Sequence, residues 1–271
     1  MLMQKLIFIF TLLMMLVASS AYCEDKDLFP TSEFKLGYQG MYMHYEEPDL
    51  MKEKGSMHGG FGSWTGYFTE HNIMVGVEAE TVVGSLEYDG QRSDGSTVKC
   101  DNDDYFVSAR AIVGKGFDFG DIGLTPYTGI AARYWYDKIK TTGGYEREIK
   151  QFYVPIGLNI LAHMDDNWSI GGTLEGDLFL GGEVKSKLSQ AGSGYEDAKN
   201  TQEFMKGGGG RLSMFLEYDL DYCALGLEPY FRYWQFAKSK TDTVLYGGSM
   251  ADVVEPKNKF YMSGIRLYVK F

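Results

Sequence analysis

The chain has 271 residues, which suits one all-β domain or two mixed ones, and it carries 34 glycines, 20 tyrosines, 17 phenylalanines and 4 tryptophans. Its formal net charge of −11 argues against nucleic acid as a partner, because phosphate binding needs a basic surface. A mean hydropathy of −0.24 reads as soluble but excludes no β-barrel, since half of a barrel's strand residues face a polar interior.

Residues 1–21 have one basic residue in their head, Lys5, then an apolar stretch from Leu6 to Val17 and small residues up to Ala21. That stretch is too short for a spanning helix, which needs about 20 apolar residues, and has the form of a secretory signal peptide cleaved after Ala21. Cys23 follows Tyr22, where a lipoprotein would carry a small residue. Residues 22–32 are expected as a periplasmic N-terminal segment and 33–271 as a barrel.

Ten alternating stretches predict strands near 33–45, 59–69, 72–88, 104–117, 122–137, 151–163, 168–184, 209–219, 223–237 and 259–271. Connections after the odd-numbered ones are long and polar, such as 46–58; those after the even-numbered ones shrink to a few residues, such as 164–167. Long and short connections in strict alternation are the plan of an outer-membrane barrel, with long loops outside and short turns in the periplasm. A soluble β-sandwich would show no such regularity. The expected fold is all-β: a closed antiparallel transmembrane β-barrel of about ten strands, with both termini periplasmic. The final strand alternates Tyr261, Ser263, Ile265, Leu267 and Val269 against Gly264, Arg266, Tyr268 and Lys270, and its terminal Phe271 resembles the signal read by the barrel-assembly machinery.

Ile73, Val75, Val77, Ala79, Thr81 and Val83 form one outward, lipid-facing set, and Phe152, Val154, Ile156, Leu158 and Ile160 another. The opposite register sends Lys35, Arg110, Arg133, Arg211, Arg232 and Arg266 into the lumen with Glu78, Glu80, Glu175, Asp177, Glu217 and Glu228. Their order puts Glu78 and Glu80 beside Arg110, Glu175 and Asp177 beside Arg211, and Glu217, Glu228 and Arg232 beside Arg266. Equal numbers of each sign favour a salt-bridged plug; a selective constriction usually carries an excess of one sign. The carboxylate pairs Glu78/Glu80 and Glu175/Asp177 share faces, but arginines opposite keep them ionised and structural.

His44 at the rim and His58 at the end of the first loop, with Glu46, Glu47 and Asp49 between, are the candidates for a water-activating His–carboxylate dyad. Two loop histidines in an acidic loop are the plainer reading. No metal-ligand spacing or cofactor motif is evident, and three cysteines make no disulfide framework. Cys100 falls on an outer loop and Cys223 on a periplasmic turn, where Cys23 could oxidise with it.

The ten-strand plan with tall hairpins resembles the omptin outer-membrane proteases. The resemblance implies an Asp pair in one set of outer loops and an Asp–His pair across the cleft. Here the loop after the third strand holds Asp101 and Asp103 without the Asp-x-Asp-Trp form, and residues 185–206 hold no histidine. Tyr45-Glu-Glu-Pro-Asp-Leu-Met51, Leu124-Thr-Pro-Tyr-Thr-Gly129, Gly144-Tyr-Glu-Arg-Glu148 with Pro155-Ile-Gly157, and Glu228-Pro-Tyr-Phe-Arg-Tyr-Trp234 look similar to a group of poorly characterised Gram-negative outer-membrane β-barrel proteins. This likeness implies a barrel in the outer membrane, among lipid and lipopolysaccharide, and no particular activity. The leading expectation is a non-enzymatic surface protein whose acidic outer loops serve binding of a ligand yet unknown, or envelope integrity. A porin-like small-solute channel and a hydrolase at the outer rim are the alternatives.

Overall fold

The computed structural model describes residues 28–68, 70–91, 95–220 and 222–271. The expected signal peptide and Cys23 lie outside the described residues. No helix among those residues is long and apolar enough to cross a membrane.

Ten long strands form the wall: β1 (Glu33–Glu47), β2 (Met51–Phe68), β3 (Ile73–Gln91), β4 (Thr97–Lys115), β5 (Ile122–Ile139), β6 (Glu146–His163), β7 (Trp168–Ser186), β8 (Gly207–Asp219), β9 (Ala224–Phe236) and β10 (Asn258–Lys270). Each pairs antiparallel with the next, and β10 returns to β1 in a register running from Lys35↔Lys270 to Glu46↔Lys259. The cylinder is therefore closed, which removes the sheet edges that lipid could not satisfy.

Outward side chains mark the membrane belt. Trp168 and Tyr218, with ring centroids 4.8 Å apart, belong to an aromatic girdle near the end that holds Leu28 and Phe271. Tyr105 with Tyr134 and Tyr233 with Tyr261 belong to a second girdle nearer the far end. Exposed Val77, Val113, Ile130, Ile156, Leu174 and Leu212 cover the zone between. Beyond the second girdle the outward residues turn charged and bridge neighbouring strands, as in Lys54–Glu87 at 3.6 Å and Lys99–Asp89 at 3.2 Å.

The strands run further at the far end than their sequence pattern indicates. The expected loop at 46–58 is a tight turn at Pro48–Leu50 flanked by strand, and Asp49 takes the left-handed backbone (φ 68°) there. Past the belt the outer face is wet and the inner face buries charged side chains such as Glu53 and Arg147, so the hydropathy alternation fades although the pairing continues. Two connections stay long. Residues 187–206 include a short strand, Ala198–Gln202, that extends the sheet beside β7. Residues 237–257 include the hairpin Asp242–Tyr246 with Ser249–Val253. Its turn is Gly247–Gly248, with φ of 62° and 85°, the double left-handed geometry that a two-residue hairpin demands.

At the terminal end Phe29 is buried against Tyr67, with ring centroids 5.1 Å apart, so residues just ahead of β1 fold into the barrel mouth.

Candidate functional site

All twelve charged residues expected in the lumen face it, and they form stacked layers. Nearest the end that holds Phe271, Lys35 donates to Glu217 at 2.7 Å and lies 3.3 Å from Glu33; Lys270 and Tyr268 also reach Glu217. This layer borders a cavity of about 150 Å³.

The next layer is built from four arginines and four glutamates. Arg110 donates to Glu175 at 2.6 Å and Glu78 at 3.1 Å. Arg211 donates to Glu228 at 2.8 Å and Glu78 at 3.2 Å. Arg232 grips Glu80 with both terminal nitrogens, and Arg266 reaches Glu80 at 2.6 Å, Glu78 at 3.1 Å and Gln39 at 3.1 Å. The pairing inferred from strand order needs correction here. Arg211 stands opposite Glu175 in register, yet its guanidinium bonds to neither Glu175 nor Asp177 and crosses the lumen to Glu78. A lumen this narrow lets long side chains pair across its diameter, which neighbour order along the sheet does not convey.

Above it sits a buried aromatic layer with Phe106, Trp135, Phe179, Trp234, Phe236 and Phe260. Arg133 lies in it, 4.2 Å from the Trp234 ring centroid and 4.6 Å from that of Phe260, with Nε donating to Gln151 at 2.5 Å. Asp177 accepts from the Trp234 indole at 2.8 Å.

Beyond the far girdle, outside the belt, lies a fourth layer: Glu47, Glu53, Asp104, Asp137 and Glu255 around Arg147, all buried. Arg147 donates from Nε to Asp137 at 2.7 Å, from Nη2 to Glu53 at 2.8 Å and from Nη1 to Glu47 at 3.1 Å. Trp135 donates to Asp104 at 2.8 Å, Asn102 to Asp137 at 2.9 Å, and the Tyr45 hydroxyl lies 2.6 Å from Glu47 and 3.0 Å from Glu255. Burial, then the neighbouring Asp137, holds Glu53 well above the usual carboxylate range, and burial with Glu47 raises Glu255 to about 8. The sequence pattern missed this layer because it assigned 46–58, 138–150 and 238–258 to loops, which removed Glu47, Glu53, Arg147 and Glu255 from the lumen. The available signal was that Glu53 lies in step with Gly55 and Met57, two inward positions nearer the belt.

The rim candidates are not brought together as a dyad. His58 lies within β2 opposite Gly40, not at a loop end, faces outward, and shares a 2.6 Å hydrogen bond with the Tyr38 hydroxyl. His44 stands opposite Lys54, its ring 5.8 Å from that of Tyr261. His44 and Asp49 border one open groove of about 480 Å³ beside the β1–β2 turn. Cys100 belongs to β4, not to a loop, while Cys223 does lie in the turn before β9.

No family model and no curated protein matches the sequence. Among solved structures the chain is similar to the outer membrane protease OmpT from Escherichia coli, with a TM-score of 0.59 at 9% identity, over 91% of this chain and 99% of that one. The chain has the closed ten-stranded fold of an outer-membrane β-barrel. Its fold also matches, more distantly, the translocator domain of the autotransporter NalP from Neisseria meningitidis (TM-score 0.39, 12% identity, 88% of each chain) and Ail of Yersinia pestis (TM-score 0.36, 10% identity, 89% of this chain and 97% of that). At 9% identity the likeness to OmpT establishes the barrel fold and not an activity.

Proposed function

We propose that this barrel is a non-conducting surface protein of the bacterial outer membrane. Its lumen acts as a structural plug, and its far end, turned outward, does the binding or stabilises the envelope. The observation that carries this reading is the filling of the lumen by successive bonded layers, most directly the four arginines and four glutamates across its middle. At that middle layer the balanced, mutually bonded charges rigidify the cylinder and leave no single-sign field there to draw a solute through. Both termini lie in the periplasm, lipid and lipopolysaccharide surround the apolar belt, and β10, followed by Phe271, is presented to the assembly machinery. An omptin-type peptidase is not favoured: Asp101 and Asp103 point out from β4, and residues 185–206 supply no histidine.

Orientation and surface display are tested together by labelling intact cells with a membrane-impermeant maleimide. With the three native cysteines replaced by serine, Met250→Cys in the far hairpin, 65% exposed, is labelled. Tyr222→Cys in the turn before β9, 81% exposed, is labelled only after lysis. The reverse pattern overturns the orientation and with it the outward role of the far end.

A further inference from the structure

Among the described residues, buried charges in this lumen balance in every layer but one. Lys35 and Lys270 meet Glu33 and Glu217; Arg110, Arg211, Arg232 and Arg266 meet Glu78, Glu80, Glu175 and Glu228; Arg133 shares its layer with Asp177. Among the described residues of the far layer, Arg147 alone faces Glu47, Glu53, Asp104, Asp137 and Glu255. Buried carboxylates in excess of their cations are costly, so among the described residues this layer is short of positive charge.

Two further observations locate it. Glu53, Asp104 and Asp137 each bring one carboxylate oxygen within 4.8 Å of the other two. Oxygens sharing a calcium ion at about 2.4 Å stand at most ~4.8 Å apart, so the spacing is admissible. In addition, Glu53 Oε2 and Asp104 Oδ2 are buried without a hydrogen-bond partner, on side chains 0% and 3% exposed. The donors around them are engaged with other oxygens: Arg147 Nη2 with Glu53 Oε1, Trp135 with Asp104 Oδ1, and Asn102 with Asp137 Oδ1.

We propose that Glu53, Asp104 and Asp137 hold a divalent cation, calcium by the chemistry of the ligands, inside the far end of the barrel. Hard, oxygen-only donors select calcium or magnesium over transition metals. Three carboxylates from separate strands around a buried space suit calcium's irregular coordination better than the octahedral shell of magnesium, which sheds its waters reluctantly. The ion joins β2, β4 and β5 beneath the far rim, which makes that end cation-dependent whichever way it faces.

Terbium(III) provides the test, because Trp135 touches a ligand and serves as a built-in antenna. The refolded barrel in detergent should give tryptophan-sensitised terbium emission that saturates at one ion per chain and is displaced by calcium. Trp135→Phe should remove most of the emission yet keep the rise in unfolding midpoint that calcium produces. Glu53→Gln with Asp104→Asn should weaken terbium binding by at least about tenfold. Sensitised emission that survives this double substitution in a folded barrel would overturn the site, placing the ion on outer carboxylates. Absence of emission together with a calcium-insensitive midpoint in the wild type would overturn it as well, leaving protons to neutralise the cluster. That last comparison needs no variant, so a double mutant that fails to fold does not protect the proposal.

Discussion

Arg266 Nη2 donates to Glu80 Oε2 at 2.6 Å, joining the last strand to the third across the middle of the barrel. Both side chains are 1% exposed, and the same guanidinium also serves Glu78 and Glu228. Removing it leaves three buried carboxylates short of a partner. Arg266→Met should therefore destabilise the folded barrel by about 3–5 kcal/mol, read from the urea unfolding midpoint. Adding Glu80→Gln should cost less than the sum of the single changes, because the two share one network. Strict additivity would contradict the bonding described here.

Close packing of the aromatic layer gives a second prediction through two glycines in neighbouring strands. A Cβ at Gly209 would stand 1.7 Å from Trp234 Cδ1, whereas one at Gly176 meets nothing within 4 Å. Gly209→Ala should displace the Trp234 indole, break its bond to Asp177 and cost about 1–3 kcal/mol. Gly176→Ala, on the lipid-facing side, should be nearly neutral. Tryptophan fluorescence and unfolding midpoints distinguish the two.

The far end should also respond to pH through Glu255, whose carboxyl is raised to about 8 by burial first and by Glu47 next. The folded protein then binds this proton more tightly than the unfolded chain does. The resulting stability is fully present below the unfolded carboxyl value, about 4.3, and is lost as pH rises through about 8. With a chelator present, the unfolding midpoint of the wild type should fall between pH 6 and 9, and Glu255→Gln should flatten that slope. An equal slope in both proteins would assign the pH response elsewhere.

Strand number, closure, the outward faces and the charged residues of the lumen were legible because the belt enforces a two-residue period. Val77 must be apolar and Glu78 must not be exposed to lipid. The signal weakened where that constraint ends. Lys52, Glu53 and Lys54 are strand residues with a wet outer face, and polarity there reads as loop, so β2 was expected to begin eight residues late and Glu53 went unnoticed. Partner choice inside the lumen was not legible either, since Arg211 selects Glu78 across the diameter over Glu175 in the adjacent strand. Three-dimensional reach decides that, and strand order carries no record of it.

Single-channel recording in a planar bilayer tests the plugged lumen most directly, with wild-type protein and Arg211→Ala side by side. Both should be silent, because losing one guanidinium leaves the aromatic layer and the Arg147 layer in place. Steady ion-selective current steps in the wild type, enlarged by the substitution, would contradict the plug and make the lumen a conducting pore.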